Sequence, residues 1–151
     1  MNKEFQSLRI LHGALCLGSL LFFIIVYFVL GIDDVALGQE DDLIVFNYLV
    51  PVLIVSGLLL SRMMDRTRLG AFKFPGTLPD KIIDYRSRIV LRSALIEGPI
   101  LFAIVLLMLT GNKLNVLYIG IGWLGLLYVR PHMAEFIKDY KLTAQEQQEM
   151  Q

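Results

Sequence analysis

The chain has 151 residues, 56% of them hydrophobic and 19% charged, with a mean hydropathy of +0.62. That is too apolar for a water-soluble domain of this size unless the excess faces lipid, so the composition predicts an all-α membrane protein. The 14 basic residues balance the 14 acidic ones, which leaves no electrostatic case for nucleic acid as a partner. The expected partners are the lipid bilayer and a homo-oligomer or larger membrane complex.

The first apolar stretch, 10–30, follows Lys3 and Arg9. It is longer than the ~7–15 apolar residues of a secretory signal, and Ile32-Asp33-Asp34-Val35-Ala36-Leu37 is a poor cleavage site, so it reads as a membrane span. Its single cysteine, Cys16, is expected to pack as a small hydrophobe. An acidic connection with Asp33, Asp34, Glu40, Asp41 and Asp42 leads to the second span, 43–60, where Pro51 frees the carbonyl of Asn47. The segment 61–88 carries Arg62, Arg66, Arg68, Lys73, Lys81, Arg86 and Arg88, with Pro75-Gly76 and Pro79 interrupting it. It reads as a polar linker holding a short surface helix at most.

The third span, 89–109, contains Glu97 followed by Gly98-Pro99, and only Lys113 is basic in the tight connection to the fourth and shortest span, 114–129. Within that span Gly120-x-Gly122-x-x-Gly125 copies a dinucleotide-binding fingerprint by letters alone. It lacks the preceding strand and is read as a glycine-rich packing face. The tail, 131–151, begins after Arg130. Met133, Phe136, Ile137 and Tyr140 are spaced for a brief amphipathic helix at the membrane surface, and Thr143-x-x-Glu146 is a capping box. Basic residues concentrate at both termini and in 61–88, so the positive-inside rule places all three in the cytoplasm. The four spans form a single domain, and the expected site is the bacterial inner membrane with both termini inside.

An internal repeat runs through the spans. A shift of 80 pairs Ala14-Leu15 with Ala94-Leu95, Gly18 with Gly98 and Leu21-Phe22 with Leu101-Phe102. A shift of 68 pairs Gly57-Leu58-Leu59 with Gly125-Leu126-Leu127. The chain therefore reads as two tandem hairpins, parallel repeats about an axis along the membrane normal. Ala14-x-x-x-Gly18 and Ala94-x-x-x-Gly98 are equivalent small-residue pairs, predicted to let spans one and three pack closely.

The halves differ where chemistry is expected. Glu97 replaces Leu17, Pro99 replaces Ser19, and Arg92 replaces His12. A charged carboxylate in hydrocarbon costs about 2.5–3.5 kcal/mol on insertion scales, so Glu97 needs a partner, a wet cavity or its proton. Pro99 has no N–H for the carbonyl of Leu95, and Ser93 lies one turn before Glu97 on the same face. The candidate ion, proton or packing site is therefore Glu97, Ser93, Leu95, Pro99, His12 and Arg92. No catalytic motif, cofactor signature or metal-ligand cluster stands out, and an enzyme is not expected.

The run Arg92-Ser93-Ala94-Leu95-Ile96-Glu97-Gly98-Pro99, followed by Leu109-Thr110-Gly111-Asn112, resembles a small family of bacterial four-span membrane proteins. The resemblance implies the same topology and supplies no activity. A tandem hairpin with one intramembrane acid is also similar to the duplicated proteolipid subunits of rotary ATPases. Here the acid stands in the first helix of its hairpin and the linker is much longer, so rotor function is not adopted. The expectation is a non-enzymatic interaction or assembly component. The alternatives are a proton- or cation-linked carrier or sensor using Glu97, and a protein that binds lipid or a small hydrophobic ligand.

Overall fold

The structure is a computed structural model that describes residues 3–31, 44–72 and 76–150. Helix α1, Lys3–Ile24, widens into a π-helical turn at Ile25–Val29 and ends at Gly31, whose φ is 71°. The other helices are α2 Ile44–Ala71, α3 Leu78–Thr110, α4 Leu114–Tyr128, α5 Met133–Tyr140 and α6 Ala144–Glu149. The acidic connection 32–43 and the Pro75 break read from the sequence lie outside the described residues.

Helices α1, α2 and α3 are each long and apolar enough to cross a membrane; α4 reaches that standard only when joined to α5 across a 60° bend. At ~1.5 Å per residue α3 is about 50 Å long and α2 about 42 Å, against a hydrocarbon thickness of ~30 Å. Both are longer than such a layer is thick. The excess is the segment that the sequence presents as a polar linker. Residues 61–71 continue α2 and 78–88 open α3. Thr77 starts α3 with a complete capping box to Asp80, and Pro79 sits in the first turn, where its missing N–H costs nothing. Proline here begins a helix rather than interrupting one.

Helix α3 organises the bundle. Its main neighbours are α2, α4 and α1, and α2 also packs on α4. These principal pairings do not include α1 with α2, the pair that a packed first hairpin would make. Ile96, Ile100, Ala103, Ile104 and Leu107 recur at helical spacing on α3 and form a buried core with Val50 and Ile54 of α2, Ile119 and Leu126 of α4, and Val26. A second core lies at the charged end, where Phe5 and Leu8 of α1 meet Tyr85 and Ile89 of α3 and Phe136, Tyr140, Leu142 and Met150 of the C-terminal segment. Helix α5 is amphipathic as the sequence predicts. Its apolar face, however, is covered by protein rather than by a membrane surface.

The close approaches also differ from expectation. Ala14, Gly18, Ala94 and Gly98 are all exposed, and a Cβ added to Gly18 or Gly98 would have nothing within 4 Å. Helices α1 and α3 do pack together, but through other faces. The glycines that admit a neighbour are Gly57, against the Leu95 carbonyl, Gly122, against Ile100, and Gly125, against Leu58 and Ile96.

Candidate functional site: the α1–α3 seam and the charged end

Arg92 fixes the depth of the candidate residues. Beyond it α3 is apolar for about 27 Å, close to one hydrocarbon thickness, so Glu97 lies only about 7.5 Å along the helix from that boundary. That is roughly halfway between the edge of the apolar stretch and its middle. Glu97 is half-buried at the outer edge of the α1–α3 seam, within electrostatic reach of Cys16. Among the described residues it makes no hydrogen bond or ion pair. It stands between Ala94 and Gly98 on an outward face, with Leu101 one turn further on.

Ser93, expected to serve Glu97, serves another residue. It is fully buried, and its hydroxyl shares a 3.0 Å hydrogen bond with Nδ1 of His12, itself only 7% exposed. The Cys16 sulfur lies 3.7 Å from Nε2 of the same ring. This polar stitch joins α1 to α3, and inter-helix bonds of that kind within membranes contribute about 0.6 kcal/mol on average. Further along the same seam Ser19 is buried and accepts a hydrogen bond from Nε1 of Trp123 on α4, 3.2 Å away, while Phe23 meets the indole edge-on.

The carbonyl of Leu95, which Pro99 leaves without its helical donor, is not available to a ligand. Gly57 of α2 lies directly against it, with the Pro99 ring alongside. The helix runs through Pro99 without a break.

Arg92 is buried and engaged on the side away from the apolar layer. Its guanidinium reaches Glu135 of α5 at 2.7 Å and Asp65 of α2 at 3.4 Å. One turn earlier the Arg88 side chain has no exposure at all, and it bridges Asp65 at 2.8 Å and Asp139 at 2.9 Å while donating to the Tyr140 hydroxyl. Tyr140 in turn donates to the Asp84 carboxylate. Burial, and next that carboxylate acceptor, hold the Tyr140 phenol above its ordinary range. Tyr85 grips the chain at His132, donating to its carbonyl and accepting from its amide at 3.1 Å each. Lys81 closes the array on Glu146 of α6 at 2.6 Å. These pairs sew α2, α3, α5 and α6 into one solid end. Asp65, Arg88, Glu135 and Asp139 escaped sequence reasoning. The only signal was a few acids set among basic residues, and nothing along the chain says which base each one meets.

Three clefts open on the seam and the corner between α4 and α5. One, about 540 Å³, is lined by Arg92, Arg130, His132 and Glu135 above and by Leu124, Leu127 and Tyr128 below. A second, about 410 Å³, lies on the other side of Arg130 and His132 and reaches Arg9, His12 and Gly13. The third, about 190 Å³, is an apolar groove along Cys16, Leu20, Trp123, Leu126 and Leu127. Glu97 lines none of them. Among the described residues no group of three or more His, Cys, Asp or Glu side chains is placed to hold a metal ion.

The chain matches no protein-family model, no curated protein and no solved structure.

Proposed function

We propose that this is an integral inner-membrane protein that works as an interaction or assembly component, docking a partner helix on the outer face of α3. The observation that carries this reading is Glu97: a carboxyl set about 7.5 Å into an apolar stretch, outward-facing, without a polar partner among the described residues, and flanked by Ala94 and Gly98. An ionisable group in that setting is costly unless another helix supplies a donor, and the two small residues let a second backbone come close enough to do so. The equivalent face of α1, Ala14-Leu17-Gly18-Leu21, is exposed in the same way but carries no acid. The charged end, fixed by Arg88, holds α3 at a constant depth while that face is presented. The concentration of basic residues at this end supports a cytoplasmic placement of both termini.

A proton- or cation-linked role for Glu97 is the competing reading, and it is less supported because none of the three clefts described above is lined by Glu97 and the freed Leu95 carbonyl is covered. One experiment separates the two. In native membranes of a Cys16→Ala background, cysteines at Gly98 and at Leu106, an inward-facing control, are cross-linked. Docking predicts a product from position 98 alone, prevented by Ala94→Ile on the same face and preserved in Glu97→Gln, which keeps the hydrogen-bonding shape of the acid. A protein that exchanges protons through Glu97 gives no such product, is labelled by a hydrophobic carbodiimide in a pH-dependent way, and fails in Glu97→Gln.

A further inference from the structure

The corner at Arg130-Pro131-His132 is built differently from the rest of the charged end. Arg88 and Arg92 spend their charge on carboxylates inside the protein, whereas Arg130 is exposed and makes no ion pair among the described residues. Its guanidinium is nevertheless held in place. Nε donates to Nε2 of His132 at 3.0 Å, and Nδ1 of the same ring donates back to the Arg130 carbonyl at 2.8 Å. A ring that accepts at Nε2 and donates at Nδ1 is a neutral histidine acting as a bracket, leaving the rest of the guanidinium fork turned to the clefts.

Helix α5 starts at His132 with no side-chain cap. Its first-turn amides are therefore left for an external acceptor, and the positive end of the helix dipole adds to the Arg130 charge. His132 and Glu135 of that turn line the 540 Å³ cleft, and the Glu135 charge is already met by Arg92. The cleft is of the size that small-ligand sites usually have, ~300–1,000 Å³. Its floor is apolar: Leu127 is shared with the groove that runs along Leu20 and Trp123 between α1 and α4. A cationic mouth and an apolar groove of about 190 Å³ thus share Leu127 as a common wall.

We infer that this corner is a binding site for one anionic phospholipid, with the phosphate at Arg130 and the first turn of α5 and an acyl chain in the groove against Trp123. A free phosphate ion would use the mouth and leave the groove unexplained, while a neutral lipid would use the groove and leave the bracketed arginine unexplained. Basic pockets between helices at the inner boundary commonly hold anionic headgroups. The inference rests on the bilayer placement proposed above, but not on what docks at Glu97.

Trp123 is the only tryptophan in the chain, and it reports on the groove directly. The full-length protein is reconstituted in phosphatidylcholine vesicles, and quenching of its fluorescence is measured with brominated-acyl phosphatidylglycerol or brominated-acyl phosphatidylcholine. The expected result is quenching by the anionic lipid at about fivefold lower mole fraction, the contribution of one basic residue near a membrane surface. Arg130→Gln should erase the difference between the two lipids and Arg130→Lys should keep most of it. Because Arg130 is exposed, both variants retain the fold. Equal quenching by the two lipids in the wild type, a preference that survives Arg130→Gln, or relief of quenching by millimolar inorganic phosphate as effectively as by unbrominated phosphatidylglycerol would each overturn the inference.

Discussion

Gly57 of α2 packs against the backbone carbonyl of Leu95 on α3. A Cβ at position 57 would lie 2.5 Å from that oxygen and 3.2 Å from Cγ of Pro99. Two sequence features that look independent, a glycine in the second span and a proline in the third, are thereby two sides of one contact. Pro99 removes the helical donor to Leu95, and the bare backbone of Gly57 covers the oxygen that results, close enough for Cα–H to serve as a weak donor.

Gly57→Ala should therefore destabilise the bundle, because the obstacle is backbone and cannot swing aside. Overpacking of this kind costs about 1–3 kcal/mol, and Gly57→Val should cost more. Gly18→Ala makes the control: it meets nothing within 4 Å and gains helix propensity. Thermal or denaturant unfolding in detergent micelles distinguishes them. A Gly57→Ala protein as stable as Gly18→Ala would show that the two helices do not meet this way.

Arg88→Met should loosen the charged end while sparing the membrane-embedded core. The substitution keeps much of the side-chain volume but leaves Asp139 without its cation and Asp65 with only the longer pair to Arg92. Removing one partner of a buried pair costs ~3–5 kcal/mol, and because these carboxylates retain 18% and 19% exposure the lower end of that range applies. Helices α5 and α6 are then released together, which trypsin cleavage at Lys141 should register as a much faster nick than in the wild type. Unchanged protection would mean that the second apolar core alone holds the tail.

The apolar runs and the capping box at Thr143 were legible in the sequence because they are local signals, whereas the capping box at Thr77, inside the segment read as a linker, was missed. Which face of each helix turns inward was not legible. In a membrane both lipid and bundle interior are apolar, so the spacing of Ala14 and Gly18 looks the same whether it meets a helix or a fatty chain. Among the glycines that do meet a neighbour are Gly57, where the α3 backbone approaches closely, and Gly125, where the Leu58 side chain of α2 does. The segment 61–88 read as a linker because it lacks an apolar run. Its order comes from pairs such as Arg88 with Asp139 and Lys81 with Glu146, and a partner so far along the chain leaves no local pattern. The surroundings expected for Glu97 are not those observed, because Ser93 turns to His12 and the Leu95 carbonyl to Gly57.

Docking of α6 should depend on pH. Hydrogen bonding to Lys81, and next to the Thr143 backbone, holds the Glu146 carboxyl below its ordinary value of 4.5. A group whose folded value is depressed adds stability that is present above its unfolded value and is lost as pH falls through the folded one. The docked tail should thus be insensitive to pH from neutrality down to about 4.5 and come loose only below it. A fluorophore at Gln148 would follow the release by anisotropy. In Lys81→Met the tail should already be mobile at neutral pH and the acid transition should shrink. An acid transition of full size in that variant would assign it to another carboxylate.

Topology is the most exposed part of the proposed placement. Helices α2 and α3 carry their charged ends together, at the same end as the start of α1 and the whole of α5 and α6, so the ion-paired residues gather at one end of the bundle. Positive charge is retained on the cytoplasmic side, which puts the 72–77 turn inside and the connections near Gly38 and Asn112 outside. Single cysteines at Gly38, Gly76 and Asn112, in a Cys16→Ala background, should divide accordingly. In intact cells a membrane-impermeant maleimide should reach 38 and 112 and spare 76, and disruption of the membrane should expose 76 as well. A fourth cysteine at Lys138 decides whether α4 crosses. Helix α4 is short, about 22 Å at ~1.5 Å per residue, and spans only if the layer thins around it or the bend at Arg130 lies within the headgroups. If it crosses, position 138 behaves like 76. A cysteine there that is labelled from outside would mean that the C-terminal segment cannot be docked on α3 in the membrane, and the ion pairs of Arg88 and Arg92 would fall with the topology.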